Sequence, residues 1–222
     1  MQSSDLNIIT TRDGSHTIFD PEHGEHFHSI HGARQESMHV FIHAGFTSHT
    51  ISPVSVLEMV FCSGLNAWLT CMEARETKRK TMYHTLEKYP LSDEIAVKLN
   101  YSENETPENT AFFHKIHSAG WEVEEEIHEY FTIKKVQADI AGVKFSGKYD
   151  VIFYDAFSPA VQPELWTYDI FSALFRHTNR NGILTTYSAK GEVQRILKRA
   201  GFSVELISGP PGKKEMIRAI RI

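Results

Sequence analysis

Four places in this 222-residue sequence hold side chains suited to gripping a nucleoside and an amine. The run Val56 to Asn66, "VLEMVFCSGLN", passes from strand-forming residues through a turn into helix-forming ones. Such a turn turns backbone N–H groups and a helix N-terminus toward a polar ligand. Glu87 follows the strand-like run from Thr81 to Leu86, with the position and charge to accept hydrogen bonds from two ribose hydroxyls. Asp139 closes a further β-rich run and suits an exocyclic amino group of adenine. In Asp155-Ala156-Phe157-Ser158-Pro159 a carboxylate, an aromatic ring and a proline-fixed turn follow an apolar strand directly. Asp155 is placed to orient an amine nucleophile and Phe157 to pack against a flat base. Any one of these acids also reads as a helix cap or a loop residue. Their recurrence at successive strand ends makes a nucleoside site the better reading.

Two further groups bear on chemistry. Eight of the 13 histidines precede residue 50, with His23, His26, His28 and His31 close together. Zinc is one reading, but the spacing matches no strong ligand motif and an exposed polar hairpin explains the cluster as well, so no metal is expected. The net charge of −5 hides an asymmetry: from Lys190 onward eight Lys or Arg face three Glu, giving +5 there and −10 elsewhere. A basic end on an acidic body suits a protein that meets a polyanion on one face, although a solvated helix and hairpin have the same composition.

The elements that must position these residues follow from periodicity and punctuation. Asp13-Gly14 and His23-Gly24 mark hairpin turns, and Met38, Phe41 and Ile42 mark a helix ending near Gly45. Residues 1–50 therefore read as a small β-hairpin and helix extension, and 51–222 as the main domain. Strands are predicted at 54–60, 81–86, 122–139, 148–155, 182–188, 203–208 and 215–220. Helices fall between them, with Ser92 an N-cap, Pro107 a first helical residue and Gly201 a terminator. This alternation predicts an α/β fold, doubly wound around a mostly parallel seven-stranded Rossmann-like sheet closed by a hairpin, with ligands beyond the C-terminal strand ends. No apolar run approaches the ~20 residues that span a bilayer. The start of the chain lacks a secretory pattern, and Cys62 and Cys71 make no disulfide framework, so a cytoplasmic protein is expected.

"DGSHTIFDPEHGEHFHSIHGARQESMHVFI", "SGLNAWLT", "DVIFYDAFSPAVQPELWT", "GILTTYSAKGEVQRILKRAGF" and "GPPGKKEMIRA" carry a resemblance that covers nearly the whole chain. It resembles the MnmC-type methyltransferases that use S-adenosylmethionine to make 5-methylaminomethyl-2-thiouridine at the tRNA wobble position. The likeness is to the free-standing form without the FAD-dependent oxidoreductase domain, which implies a separate oxidoreductase supplying the aminomethyl substrate. It implies that Glu58 and the turn bearing Val60, Cys62, Gly64 and Asn66 hold the methionine part of the cofactor, Glu87 its ribose and Asp139 its adenine. Asp155, with Phe157, would face the substrate amine. Lys190, Arg195, Lys198, Lys213 and Lys214 are then candidates for tRNA phosphate contacts. One departure stands out. The family's turn reads roughly Gly-Phe-Gly-Thr-Gly-Leu-Asn, and here Val60 and Cys62 replace two of the glycines. At ~1–2 kcal/mol for each misplaced residue, cofactor affinity would fall roughly five- to thirtyfold. The alternative is a non-catalytic protein of the same fold with weakened cofactor binding.

Overall fold

The computed structural model describes residues 6–143 and 145–222; the first five residues of the expected extension lie outside the described residues. Strands β1 (Asn7–Thr10), β2 (His16–Asp20) and β3 (Glu25–His26) form an antiparallel sheet in that order. Its turns use Gly14 at φ 86° and Gly24 at φ 66°, left-handed conformations that cost glycine little. Helix α1 (Ala33–Ser37) runs on without a break as a π-helical segment, Met38–Phe46. Ile18 of β2 and Phe41 of that segment share one hydrophobic cluster with Val56 and Phe153 of the main sheet, so the extension and the sheet have a common core.

The main sheet contains β4 (Val54–Glu58), β5 (Thr81–Glu87), β6 (Glu124–His128), β7 (Phe131–Gln137), β8 (Tyr149–Phe153), β9 (Thr178–Thr186), β10 (Ser203–Ser208) and β11 (Glu215–Ile220). Their order is β10-β11-β9-β8-β4-β5-β7-β6. Pairs β4/β5, β4/β8, β5/β7 and β8/β9 are parallel, and β10/β11 closes the sheet as the expected hairpin. Every residue of β8 is buried, as a central parallel strand covered on both faces requires.

The sheet has eight strands rather than seven. The run expected as one strand ending at Asp139 folds back on itself, with β6 antiparallel to β7. The residues between them, Glu129 and Tyr130, include neither glycine nor proline, so the strand-like pattern passes through the turn unpunctuated.

Helices α2 (Leu65–Glu76), α3 (Asp93–Ala96), α4 (Pro107–Ser118), α5 (Tyr168–His177) and α6 (Gly191–Ala200) complete the fold. Thr106 caps α4 by accepting from the Asn109 N–H, with Pro107 in the first turn, and Gly201 ends α6 at φ 114°. One cluster packs Trp68, Phe113 and Phe41 on one face of the sheet; another packs Phe171, Leu174 and Leu197 on the other. Strand β4 stands between β5 and β8, where the strand order reverses. The crevice beyond its C-terminal end is where a sheet of this kind binds ligands.

Candidate active site

Beyond that end the chain makes a tight turn. The Phe61 N–H donates to Leu86 O at 2.8 Å and the Gly64 N–H to Phe61 O at 2.8 Å. Cys62 N–H donates to Glu87 Oε2 at 3.0 Å, and Glu87 Oε1 accepts from the Tyr89 N–H at 2.9 Å. Two backbone positions in the turn are left-handed: Cys62 at φ 50° and Gly64 at φ 72°, the latter just before α2. Val60 is not among the residues with positive φ. The turn has thus kept a glycine-like conformation at Cys62 and none is asked of Val60, which resolves the steric problem posed by that β-branched side chain.

The turn opens on a cavity of about 580 Å³. Val60, Cys62, Glu87, Asp139, Asp155 and Phe157 all line it, so six of the nine expected cofactor and catalytic residues meet there. The other three lie outside that lining. Asn66 Nδ2 donates to Asp155 Oδ2 at 2.9 Å, fixing the carboxylate. Gly64 caps α2, and Glu58 is fully buried, its Oε2 accepting from Thr85 Oγ1 at 2.7 Å. Asp139 lines the cavity with Oδ2 paired to Lys88 Nζ at 2.7 Å and Oδ1 accepting from the Ala141 N–H at 3.0 Å.

Burial governs the titration here. Burial pushes the Asp155 carboxyl up to about 7, with the charge of Glu36 adding to the effect and Asn66 opposing it. Burial likewise pushes Glu58 up to about 8, the Thr85 hydroxyl opposing it. Beside Asp155, His28 is held down to about 4 by burial. Its Nδ1 lies 3.9 Å from Asp155 Oδ2 and its Nε2 lies 2.9 Å from Ser63 Oγ, to which the Tyr101 hydroxyl donates at 3.1 Å.

Sequence reasoning missed this chain and two other features. Glu36, nearly buried, accepts from Lys213 Nζ at 2.8 Å and from the Ser29 N–H at 2.8 Å. The Lys213 ammonium also lies 3.9 Å from the centre of the Tyr187 ring. His23 and Phe27 of the extension pack their rings against Phe157 at 5.2 and 5.7 Å between centroids, and both line the cavity. The crowding of His and Phe in "HGEHFHS", His23 to Ser29, was the available signal. The four clustered histidines go to separate partners: His23 to Asp20, His26 to the Phe19 ring, His28 to Ser63, and His31 beneath Gly212. Among the described residues no group of three or more His, Cys, Asp or Glu is set to hold a metal ion.

The basic candidates divide. Lys190, Arg195 and Lys198 lie exposed at the start of α6 and along it, and Lys214 is exposed in the hairpin loop. Lys213 of the same loop is engaged with Glu36. No helix among the described residues is long and apolar enough to cross a membrane.

A mostly parallel sheet with helices on both faces, a turn into α2 and a ligand cavity walled by strand-end carboxylates define a Rossmann-like, ligand-binding α/β protein. The chain belongs to the S-adenosyl-L-methionine-dependent methyltransferase family, whose model matches residues 93–222. It is 29% identical over 177 residues to the tRNA 5-methylaminomethyl-2-thiouridine biosynthesis bifunctional protein MnmC of Campylobacter hominis, covering 77% of this chain and 26% of that protein. The chain thus spans about a quarter of the length of the bifunctional relatives it matches. Among solved structures, MNMC2 from Aquifex aeolicus superposes with a TM-score of 0.77 at 25% identity, over 99% of this chain and 71% of that one. Spermidine synthase from Thermotoga maritima shares the fold, with a TM-score of 0.59 at 14% identity over 98% and 70%. The MnmC-type resemblance read from the sequence is borne out.

The residues present fit the family's cofactor. S-adenosylmethionine carries a positive sulfonium, and the cavity wall supplies the carboxyls of Glu87, Asp139 and Asp155. Leu86 and Ile140 add apolar surface for a flat base, and each Glu87 oxygen accepts one backbone N–H, keeping a lone pair for a hydroxyl.

Proposed function

We propose that this chain transfers a methyl group from S-adenosylmethionine to the primary amine of 5-aminomethyl-2-thiouridine at the wobble position of tRNA, in the cytoplasm. The observation that carries this reading is Asp155: a carboxylate held by Asn66 at the end of β8, lining the cavity beside Phe157. Glu87 would hold the ribose, Asp139 the region of the adenine amine, and the turn at 60–64 the methionine part. When bound, the cofactor supplies an electrophilic methyl group on sulfur. Asp155 accepts a hydrogen bond from the amine and aims its lone pair, so that most of the rate comes from alignment in a site shielded from water. Phe157 packs against the pyrimidine. Lys190, Arg195, Lys198 and Lys214 form the phosphate-binding face, with Lys213, held by Glu36, beside Lys214. The names of the bifunctional relatives support tRNA as the substrate, and a separate FAD-dependent oxidoreductase is the proposed source of the aminomethyl group. Retention of the left-handed turn at Cys62 favours an active enzyme over a non-catalytic relative.

The test is methyl transfer from labelled cofactor to tRNA bearing the 5-aminomethyl group. The natural protein should methylate it, and Asp155→Asn should lose about 10²–10³-fold in rate with cofactor binding retained. No transfer by the natural protein at saturating cofactor refutes the proposal.

A further inference from the structure

An alkylammonium, like that of lysine, keeps its proton well above neutral pH, and a nitrogen that carries this proton has no lone pair with which to attack. If the function proposed above holds, a side chain must take that proton and return it to water. Asp155 lines the cavity but is a poor outlet. Its side chain is 5% exposed, and its close contacts, Asn66 and His28, lead inward to Ser63 and Tyr101, while Glu36 and Lys213 act on it through their charge.

The extension brings a different arrangement to the same cavity. His23 lines it with Asp155 and Phe157, its ring 5.2 Å from that of Phe157. Its Nδ1 lies 2.7 Å from Asp20 Oδ2, and Asp20, 2% exposed, is itself fixed by the Glu22 N–H donating to Oδ1 at 2.9 Å. A buried carboxylate that accepts from Nδ1–H leaves the lone pair on Nε2 and stabilises the imidazolium once it forms. The His23 side chain is 22% exposed, so that a proton on it can pass to water.

We propose that His23, oriented by Asp20, is the general base of this site. Nε2 removes a proton from the substrate ammonium. The N–H bond breaks with its electron pair left on the amine nitrogen, the proton bonds to Nε2, and the imidazolium's charge is met by Asp20. The imidazolium then releases the proton to solvent, and the neutral amine stays hydrogen-bonded to Asp155. The other charged groups to be reckoned with are Glu25, opposite Asp20 in the β2/β3 ladder, and those sharing the cavity wall with His23: Glu22, Glu87, Asp155, Glu164 and Lys88, the last paired with Asp139.

The experiment follows single-turnover methylation of aminomethyl-bearing tRNA by wild type, His23→Gln and His23→Ala from about pH 6.5 to about pH 9.5, with cofactor binding measured by calorimetry. His23→Gln should bind the cofactor as wild type does and be slower by ~30- to 100-fold near neutrality. The deficit should shrink to less than ~3-fold at the alkaline end, where solvent supplies the free amine. Added imidazole should restore His23→Ala. In the absence of cofactor, nitrogen-15 NMR of the His23 ring should show Nε2 becoming protonated as 5-aminomethyluridine is added. Equal rates with parallel profiles, or a deficit unchanged across pH, overturns the assignment. So does a pH-dependent deficit found in Asp155→Asn and not in His23→Gln, which would give the proton to Asp155. Wild-type protein that binds cofactor yet methylates no tRNA amine at any pH refutes the proposed function itself, a result distinct from activity that is indifferent to His23.

Discussion

Replacing Cys62 by glycine tests whether the departure from the family's turn is a cost of folding or of binding. Cys62 holds φ at 50°, a conformation that costs an L-residue ~1–2 kcal/mol. The turn is tied down by bonds within the protein, from Cys62 N–H to Glu87 Oε2 at 3.0 Å and from Gly64 N–H to Phe61 O at 2.8 Å. The strain therefore belongs to the folding equilibrium, and it enters cofactor affinity only if the turn changes shape on binding. This revises the loss of affinity expected from sequence. Cys62→Gly relieves the strain but gives the unfolded chain more freedom, which offsets ~0.5–1 kcal/mol. The net gain is about 0.5–1 kcal/mol, or ~1–4 °C in Tm for a chain of this size. Cys62→Ala is the reference, since it keeps the Cβ and the strain. Thermal unfolding followed by circular dichroism should place Cys62→Gly above Cys62→Ala. Calorimetry with S-adenosylmethionine should find affinities within ~3-fold of one another, a difference of less than ~0.7 kcal/mol. A glycine variant less stable than the alanine variant refutes the strain argument. Binding ~10-fold tighter or more at unchanged Tm would show instead that the side chain obstructs the ligand.

Gly64→Ala should act in the opposite direction. At φ 72° an added Cβ would be strained, and it would stand 2.9 Å from His117 Nε2 and 3.0 Å from Phe61 Cζ, so a loss of about 2–3 kcal/mol in denaturant unfolding is expected. Stability should also decline between pH 6.5 and about 8. Glu58 and Asp155 are raised by burial to about 8 and about 7, so the folded state keeps protons that the unfolded state releases, and their contribution is lost as pH rises. His28 and His117 are lowered by burial from 6.5 to about 4, and their contribution is lost as pH falls through that range. The two pairs oppose each other below pH 6.5; above it the histidines no longer contribute, and Lys135, lowered by burial to about 8, begins to oppose the carboxyls only at the top of the range. Glu58→Gln, neutral throughout, should flatten the decline measured by urea unfolding; an unchanged slope would contradict the raised carboxyl.

The parallel core was legible because its physics is local. Strands buried on both faces read as short apolar runs, and Pro107 and Gly201 punctuate helices by rules that need no knowledge of the fold. The hairpin at Glu129 and Tyr130 was not, since nothing in those side chains marks a reversal. Glu87, Asp139 and Asp155 were legible because ligands gather at the C-terminal ends of parallel strands. Glu58, equally a strand-end acid, is fully buried and outside the cavity lining, since burial of a strand's last residue depends on packing that its type and position do not reveal. The places of His23, His28 and Glu36, and the pairing of Lys213 with Glu36, were hidden for another reason. These residues come from segments remote from those strand ends, and only tertiary packing brings them there.

The ion pair between Glu36 and Lys213 joins residues 177 positions apart. A ribosome making this chain has built β4, β5, β7, β8 and β9 before Lys213 exists to meet its partner. The parallel strands can thus pair ahead of that contact, while the ion pair whose charges act on Asp155 forms later. A nascent chain therefore passes through a stage in which its central strands are made while Glu36 still lacks its partner.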